Sequence, residues 1–303
     1  DEGFFQVIAV GGSVYKSALA KRSGGEVILS DKKQGSLPIF VTGEDFFELV
    51  DSIILPDVDM VALNFAYPLK PLRQDKKTDG VLISGTKEHA FAGLIGRAVG
   101  KALEEYFWEK RKRKIGFAVA NDSICLLLSG LDKYNFDILG AGIVGTGFNL
   151  AFFLDDNKPV NLESGNFDKF EPSAETIEID ADSRYRGRGI FEKETAGGYL
   201  FQHYNSIIKK SDTGLEPISS TAEMNEIALR NIPIASEAAR KLFERSAALT
   251  ATQIAGIMYF KKHDMTFVME GSLFWKAHRY EEMVEDWLRL IEPEFAAKFV
   301  MID

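Results

Sequence analysis

The sequence predicts an α/β protein with a duplicated architecture, two domains (1–120 and 121–303) around a central cleft. Three observations carry that prediction. A strand, a glycine turn and a second strand occur twice, around Gly11-Gly12-Ser13 and around Gly145-Thr146-Gly147. Each pair is followed by segments with helical spacing and by a further apolar strand. The chain of 303 residues, 46% hydrophobic, is long enough for two cores.

Taken in order, 4–10, 15–20 and 26–29 read as an antiparallel meander. A helix is predicted from about Glu44, with Phe46, Phe47, Val50, Ile53 and Ile54 on one face and Pro56 as its stop. A strand over 60–65 leads into Ala66-Tyr67-Pro68 and a polar loop. Phe91, Leu94, Ile95, Ala98, Val99, Ala102, Leu103 and Tyr106 then predict one long amphipathic helix. Residues 115–120 are apolar on both faces, which predicts a central strand, and "NDS" follows at once. In the second half, 138–144 and 148–154 flank the second glycine turn. Helices are predicted around 192–209 and 237–259, then a strand over 265–269 ending in "EGS". An amphipathic helix carries Met283, Val284, Trp287, Leu288 and Ile291, and 299–303 begins another strand.

Composition excludes several functions. A net charge of −9 and a pI near 5.2 argue against a nucleic-acid or anionic-membrane surface, so a polyanionic ligand must be met locally. The basic run from Lys110 to Lys114 reads as cations at a helix C-terminus. Cys125, the single cysteine, forms no internal disulfide and suits a reducing interior; the four histidines share no metal-ligand spacing and read as surface or packing residues. The most apolar run, from Leu139 to Leu154, is too short and too glycine-rich to span a bilayer. With no signal peptide in view, a cytoplasmic location is expected.

Glycine turns let backbone N–H groups approach phosphate closely, and an acid to manage the accompanying metal is expected beside the first one. Ala9 stands there instead. Taken singly, Asn121-Asp122 reads as a helix cap, Gly145-Thr146-Gly147 as a hairpin turn, Lys87 as a solvated lysine, and Glu163 and Glu192 as surface carboxylates.

Taken in order, the segments resemble the eukaryotic-type hexokinases, sugar kinases of the actin-like ATPase superfamily with its ribonuclease H-like fold. The family's first phosphate motif, acid-Leu-Gly-Gly-Thr-Asn, aligns with Ala9-Val10-Gly11-Gly12-Ser13-Val14. Its sugar segment, Ser-Phe-Pro and then Thr-Lys-Gly-Phe, resembles Ala66-Tyr67-Pro68 and Thr86-Lys87. Its catalytic Asn-Asp resembles Asn121-Asp122, and its second phosphate motif, Gly-Thr-Gly-x-Asn, matches Gly145-Thr146-Gly147-Phe148-Asn149. The two sugar glutamates look like Glu163 in "NLESG" and Glu192 in "FEKETAGGYL", and the adenosine motif is similar to Glu270-Gly271-Ser272-Leu273-Phe274.

The resemblance implies ATP-dependent phosphorylation of a hexose, such as glucose, at its 6-hydroxyl, the chemistry of glycolysis, with ATP and Mg²⁺ as cofactors. It implies Asp122 as general base and Lys87 beside the transferring phosphoryl group. Thr86, Lys87, Asn121, Asp122, Asn149, Glu163 and Glu192 would meet the sugar. Gly11, Gly12, Ser13, Gly145, Thr146, Gly147, Gly271 and Ser272 would meet the nucleotide. No residue is assigned as a direct metal ligand.

The chain departs from the family at Ala9, at Val14 and Lys16, at Ala66 in place of the sugar-contacting serine, and at Glu88-His89 after Thr-Lys. The Gly-rich turn and final helix that follow the family's last strand are not in this sequence. Because Ala9 replaces the usual metal-organising aspartate, a sugar-binding protein with weak or no turnover is the alternative expectation, and a sugar-indifferent ATPase a third.

Overall fold

Residues 3–12, 14–23, 26–74, 77–85, 89–154, 158–183, 185–211 and 214–302 are described by the structure, a computed structural model. Ser13, Thr86 and Lys87 lie outside the described residues. The chain divides into two compact units, Asp1–Cys125 and Leu126–Asp303, so that Asn121 and Asp122 end the first unit, where the sequence reading opens the second with them.

In the first unit Phe4–Val10 (β1) turns Gln6, Ile8 and Val10 inward and pairs antiparallel with Val14–Ser23 (β2). Glu26–Ser36 (β3) runs well beyond the predicted 26–29, because an edge strand accepts the polar residues 30–36 that conceal it in the sequence. Gly43–Ile53 (α1) begins as foreseen, with Thr42 and Asp45 forming a reciprocal cap. Met60–Phe65 (β4) lies parallel to β1. The "polar loop" is a hairpin, Leu69–Gln74 (β5) with Lys77–Leu82 (β6).

The predicted long helix from Phe91 is shorter by two turns: Val99–Arg111 (α2) is helical, whereas 91–98 is a run of tight turns. Gly93 and Gly96 sit at φ +81° and +82°, and Phe91 at +50°, conformations no α-helix tolerates. Phe91 and Leu94 are nonetheless fully buried, so the spacing marked the core correctly while misjudging the backbone. Buried Asp79 accepts from the Gly100 and Lys101 N–H groups at 2.8 and 3.0 Å, capping α2 from a distant strand. Gly116–Ala120 (β7) completes a sheet of order β3-β2-β1-β4-β7, so the strand expected to be central from its apolar faces is an edge strand, paired with β4. Its core gathers Phe40, Phe46, Phe65, Phe91 and Phe107.

Asp122–Ser129 (α3) carries the chain into the second unit. There Leu139–Val144 (β8), Phe148–Phe153 (β9), Pro159–Asn161 (β10), Met265–Glu270 (β11) and Ala297–Val300 (β12) form a sheet of order β10-β9-β8-β11-β12. The topology of the first sheet is thus repeated, as the duplication predicts. The expected helix over 192–209 is two helices, Ile190–Thr195 (α5) and Gly197–Lys210 (α6), parted by extended Ala196. Ala174–Asp182 (α4), Thr221–Ala228 (α7), Ala235–Lys261 (α8), Ser272–Lys276 (α9) and Tyr280–Ile291 (α10) complete the unit. Buried Ala239, Phe243, Ala247, Ala251, Ile254 and Met258 make α8 the central support of the second core.

Candidate functional site

In the first unit three parallel strands, β1, β4 and β7, place Ala9, Asn64 and Ala120 in one row across the sheet. The chain beyond that row is Gly11-Gly12 on β1, Ala66-Tyr67-Pro68 on β4 and Asn121-Asp122 on β7. All three leave the sheet at its carboxyl edge, where open α/β sheets gather their ligands. The Ala66 N–H donates to the Val10 carbonyl at 3.0 Å, tying two of these segments together.

Asn121 is buried, and its Oδ1 accepts from the Ile124 N–H at 3.0 Å, so the residue caps α3. Capping fixes the neighbour that matters. Asp122 is half-buried at the first position of α3, and its Oδ1 accepts from the Ser123 N–H at 2.9 Å. Burial, and after it the Asp122 carboxylate, pushes the Cys125 thiol up to about 12.

The glycine turn is gripped from behind. The Tyr67 hydroxyl donates to the Gly11 carbonyl at 2.7 Å, and His89 Nε2 lies 3.0 Å from the Gly12 carbonyl. His89 Nδ1 accepts the Phe40 N–H at 3.0 Å, which leaves the proton on Nε2 and makes it the donor to Gly12. Burial raises the Tyr67 hydroxyl's pKa, keeping it a donor. Both rings are packed as the sequence reading has it for the histidine, yet both also hydrogen-bond, a role that requires contacts 56 and 77 residues away and has no local signal.

The second unit assembles more of the predicted residues. Asn149 Nδ2 donates to Asn161 Oδ1 at 2.8 Å, and Asn161 Nδ2 donates to Glu163 Oε1 at 2.7 Å. Asn149 Oδ1 accepts the N–H groups of Leu150 and Ser164 at 2.9 and 3.2 Å. Glu163 sits at φ +49°, an uncommon conformation for a carboxylate residue and one found at ligand sites. Asn161, the bridge of this chain, is the residue that sequence reasoning missed; its place two before Glu163 in "NLE" was the available signal. Glu192 Oε2 accepts the Phe148 N–H at 3.1 Å, directly after Gly145-Thr146-Gly147. A Cβ on Gly147 would stand 3.0 Å from that oxygen. Burial, and then the charge of Glu192, raises the Tyr199 phenol.

The second glycine turn is gripped as the first is. Gly197 and Gly198, at the start of α6, donate their N–H groups to the carbonyls of Gly145 and Thr146 at 2.7 and 3.1 Å. A Cβ at Gly198 would meet the Thr146 oxygen at 2.7 Å, which explains the glycine pair. Gly271, at φ +121°, lies against the same turn: a Cβ added to Gly145 would be 3.2 Å from its Cα and 3.7 Å from the Ser272 nitrogen. Gly145, Thr146, Gly147, Asn149, Glu163, Glu192, Gly271 and Ser272 thus share one region of one unit. A separate cavity of about 420 Å³, lined among others by Ser173, Glu194, His203 and Arg245, contains none of the candidate residues.

No protein-family model matches the chain. A chloroplastic hexokinase of Nicotiana tabacum is 27% identical over 244 residues, which is 69% of this chain and 48% of the relative. The chain therefore spans about half the length of that curated relative. Among solved structures, a Schistosoma mansoni hexokinase complexed with glucose superposes with a TM-score of 0.76 at 20% identity, covering 98% of this chain and 82% of that one. A ROK-family glucokinase of Streptomyces griseus, in complex with glucose and AMPPNP, gives 0.61 at 14% identity over 99% of this chain and 94% of its own. In sequence the chain is similar to hexokinases, and in fold it shares the α/β architecture of hexokinases and ROK-family sugar kinases.

Proposed function

We propose that the chain phosphorylates a hexose from ATP, with glucose as the substrate of first choice. The observation that carries this reading is the hydrogen-bonded run Asn149, Asn161 and Glu163, set in the same unit as a glycine turn that Glu192 adjoins. Carboxylates and amides of this kind match the alternating donors and acceptors of a pyranose. Asp122 takes the proton of the attacking hydroxyl, because an alcohol is a poor nucleophile and a carboxylate fixed at a helix start is a ready acceptor. Backbone N–H groups of Gly12, Thr146 and Gly147 receive phosphate oxygens, with Gly271-Ser272 on the nucleoside side. Thr86 and Lys87, outside the described residues, keep the roles the resemblance implies, toward the sugar and the phosphoryl charge.

Among the described residues no three His, Cys, Asp or Glu side chains form a metal-binding group. The metal would arrive on the nucleotide's phosphates. One observation suits it: Asn64 Oδ1, in the row with Ala9, is buried and accepts no hydrogen bond from the described residues, which fits an acceptor for a metal-bound water. Mg²⁺ would supply charge neutralisation on the phosphates.

The test is a coupled assay with MgATP and a panel of hexoses, beside calorimetric titration of glucose. Asp122→Asn is expected to lower kcat by about 10²- to 10⁴-fold with glucose binding changed by less than about tenfold. Glucose binding with no turnover above that variant would leave a sugar-binding protein. ATP hydrolysis indifferent to every hexose would remove the sugar altogether.

A further inference from the structure

We propose that Tyr67 and His89 are positioning residues that clamp the carbonyls of Gly11 and Gly12 and thereby present the first glycine turn to the nucleotide's phosphates. The proposal rests on the kinase reading above.

A trans peptide points its C=O and its N–H in opposite directions. The Tyr67 hydroxyl, 2.7 Å from the Gly11 carbonyl, therefore turns the Gly12 N–H away from the core. His89 holds the Gly12 carbonyl itself at 3.0 Å, its other nitrogen anchored on the Phe40 N–H. Neither ring can drift. Tyr67 and His89 are 3% and 5% exposed, and Tyr67 packs on Phe65 and Phe91 at ring distances of 4.5 and 4.8 Å. Glycine is the residue least able to hold its own dihedral angles, so a turn of two glycines gains most from an external grip.

An independent observation supports the reading. In the second unit the carbonyls of Gly145 and Thr146 are held by the Gly197 and Gly198 N–H groups, so each unit grips two successive carbonyls of its glycine turn. In one unit a helix start supplies the donors, and in the other two side chains do. Those side chains grow from the segments assigned to the sugar, since Tyr67 precedes Pro68 and His89 follows Lys87 by two positions.

The experiment uses the full chain with three substitutions. Tyr67→Phe keeps the ring and removes the donor. His89→Asn keeps an acceptor for Phe40 but cannot reach Gly12, whereas His89→Gln places an amide N–H where Nε2 stood. Calorimetric titration with Mg·AMPPNP should show affinity about fivefold weaker for Tyr67→Phe and His89→Asn, with His89→Gln within about twofold of the parent. Glucose affinity should stay within about twofold in all three. Hydrogen exchange of the peptide 7–16, measured without ligand, should be faster in the first two and restored in the third. Unchanged exchange and unchanged nucleotide affinity in Tyr67→Phe would overturn the proposal. So would equal losses in His89→Asn and His89→Gln, which would make the ring a packing element alone. A parent chain whose exchange responds as expected but which binds no nucleotide would overturn the kinase reading and leave the clamp without that purpose.

Discussion

Ala9 shows how much one side chain can decide. It lies between Lys16 on β2 and Asn64 on β4, in the row whose continuation carries the glycine turn and Asp122. A carboxylate there would stand beside Asn64, whose Oδ1 accepts no hydrogen bond from the described residues, and on the kinase reading proposed above the pair would serve a hydrated metal. Ala9→Asp is expected to raise kcat at least about tenfold in the coupled assay, since one preorganised charge or donor contributes a few kcal/mol to a transition state. An unchanged or lower rate would mean that the metal is managed from another position. The residues that the sequence proposes for the site, Asp122, Asn149, Glu163 and Glu192, are chemistry-bearing types inside short ordered motifs. Tyr67, His89 and Asn161 escaped because their work is done by contacts, and two of the three contacts span more than fifty residues.

Helix α5 shows the same principle one level up. It is only six residues long, too short to stand alone, and ionic contacts on two flanks fix it while Glu192 faces the glycine turn. Lys193 Nζ is 2.5 Å from Asp180, and Arg245 Nε is 2.5 Å from Glu194. Burial works against the charge on Glu194, but Arg245, the Thr176 hydroxyl and the Ser173 N–H together hold its carboxyl below the usual range. Lys193 does the same for Asp180. Burial lowers His203, whose Nε2 meets the Lys193 carbonyl at 2.8 Å. A depressed histidine is charged more readily in the unfolded chain, so stability falls as pH drops below about 6.5; depressed carboxylates lose their contribution as pH drops below about 4.5. Melting temperature should therefore decline in two stages on acidification. His203→Gln should diminish the upper stage, to which His278, also depressed, contributes the rest, and Glu194→Gln should diminish the lower one, shared with Asp180, while lowering Tm throughout; a single carboxylate stage unaffected by His203→Gln would refute the assignment. The sequence ran α5 and α6 together because Ala196 is a good helix former, and only the need of Gly197 and Gly198 to reach the glycine turn parts them. It passed over α4 and α7 as well, although Ser173 and Ser220 cap them in the ordinary way: α4 exposes most of its residues, and α7 is only eight residues long, too short for Met224, Ile227 and Ala228 to mark a period.

At the scale of the chain, the duplication was legible from the two glycine hairpins, whereas the strand orders β3-β2-β1-β4-β7 and β10-β9-β8-β11-β12 were not: β7 has the apolar faces of a central strand yet lies at the edge of its sheet. The β5–β6 hairpin was not legible either, since Lys, Arg, Gln, Asp and Thr dominate it and an exposed ribbon needs few apolar residues. Each unit owns a separate hydrophobic cluster. Calorimetry should therefore resolve unfolding into more than one transition, with a measured enthalpy above the van't Hoff value. Phe46→Ala, which empties a fully buried site between Phe40, Phe47, Phe65 and Phe91, should cost about 3–5 kcal/mol and shift one transition only. If both moved equally, the two clusters would melt as one. The helix that joins the units also carries the chain's one sulfhydryl, at Cys125, three residues past the base proposed above. With its thiolate suppressed, that sulfur should resist iodoacetamide in the folded protein and yield quickly once α3 frays. The protein thus comes with a built-in chemical clock, whose alkylation rate at neutral pH times the opening of the segment on which turnover would depend.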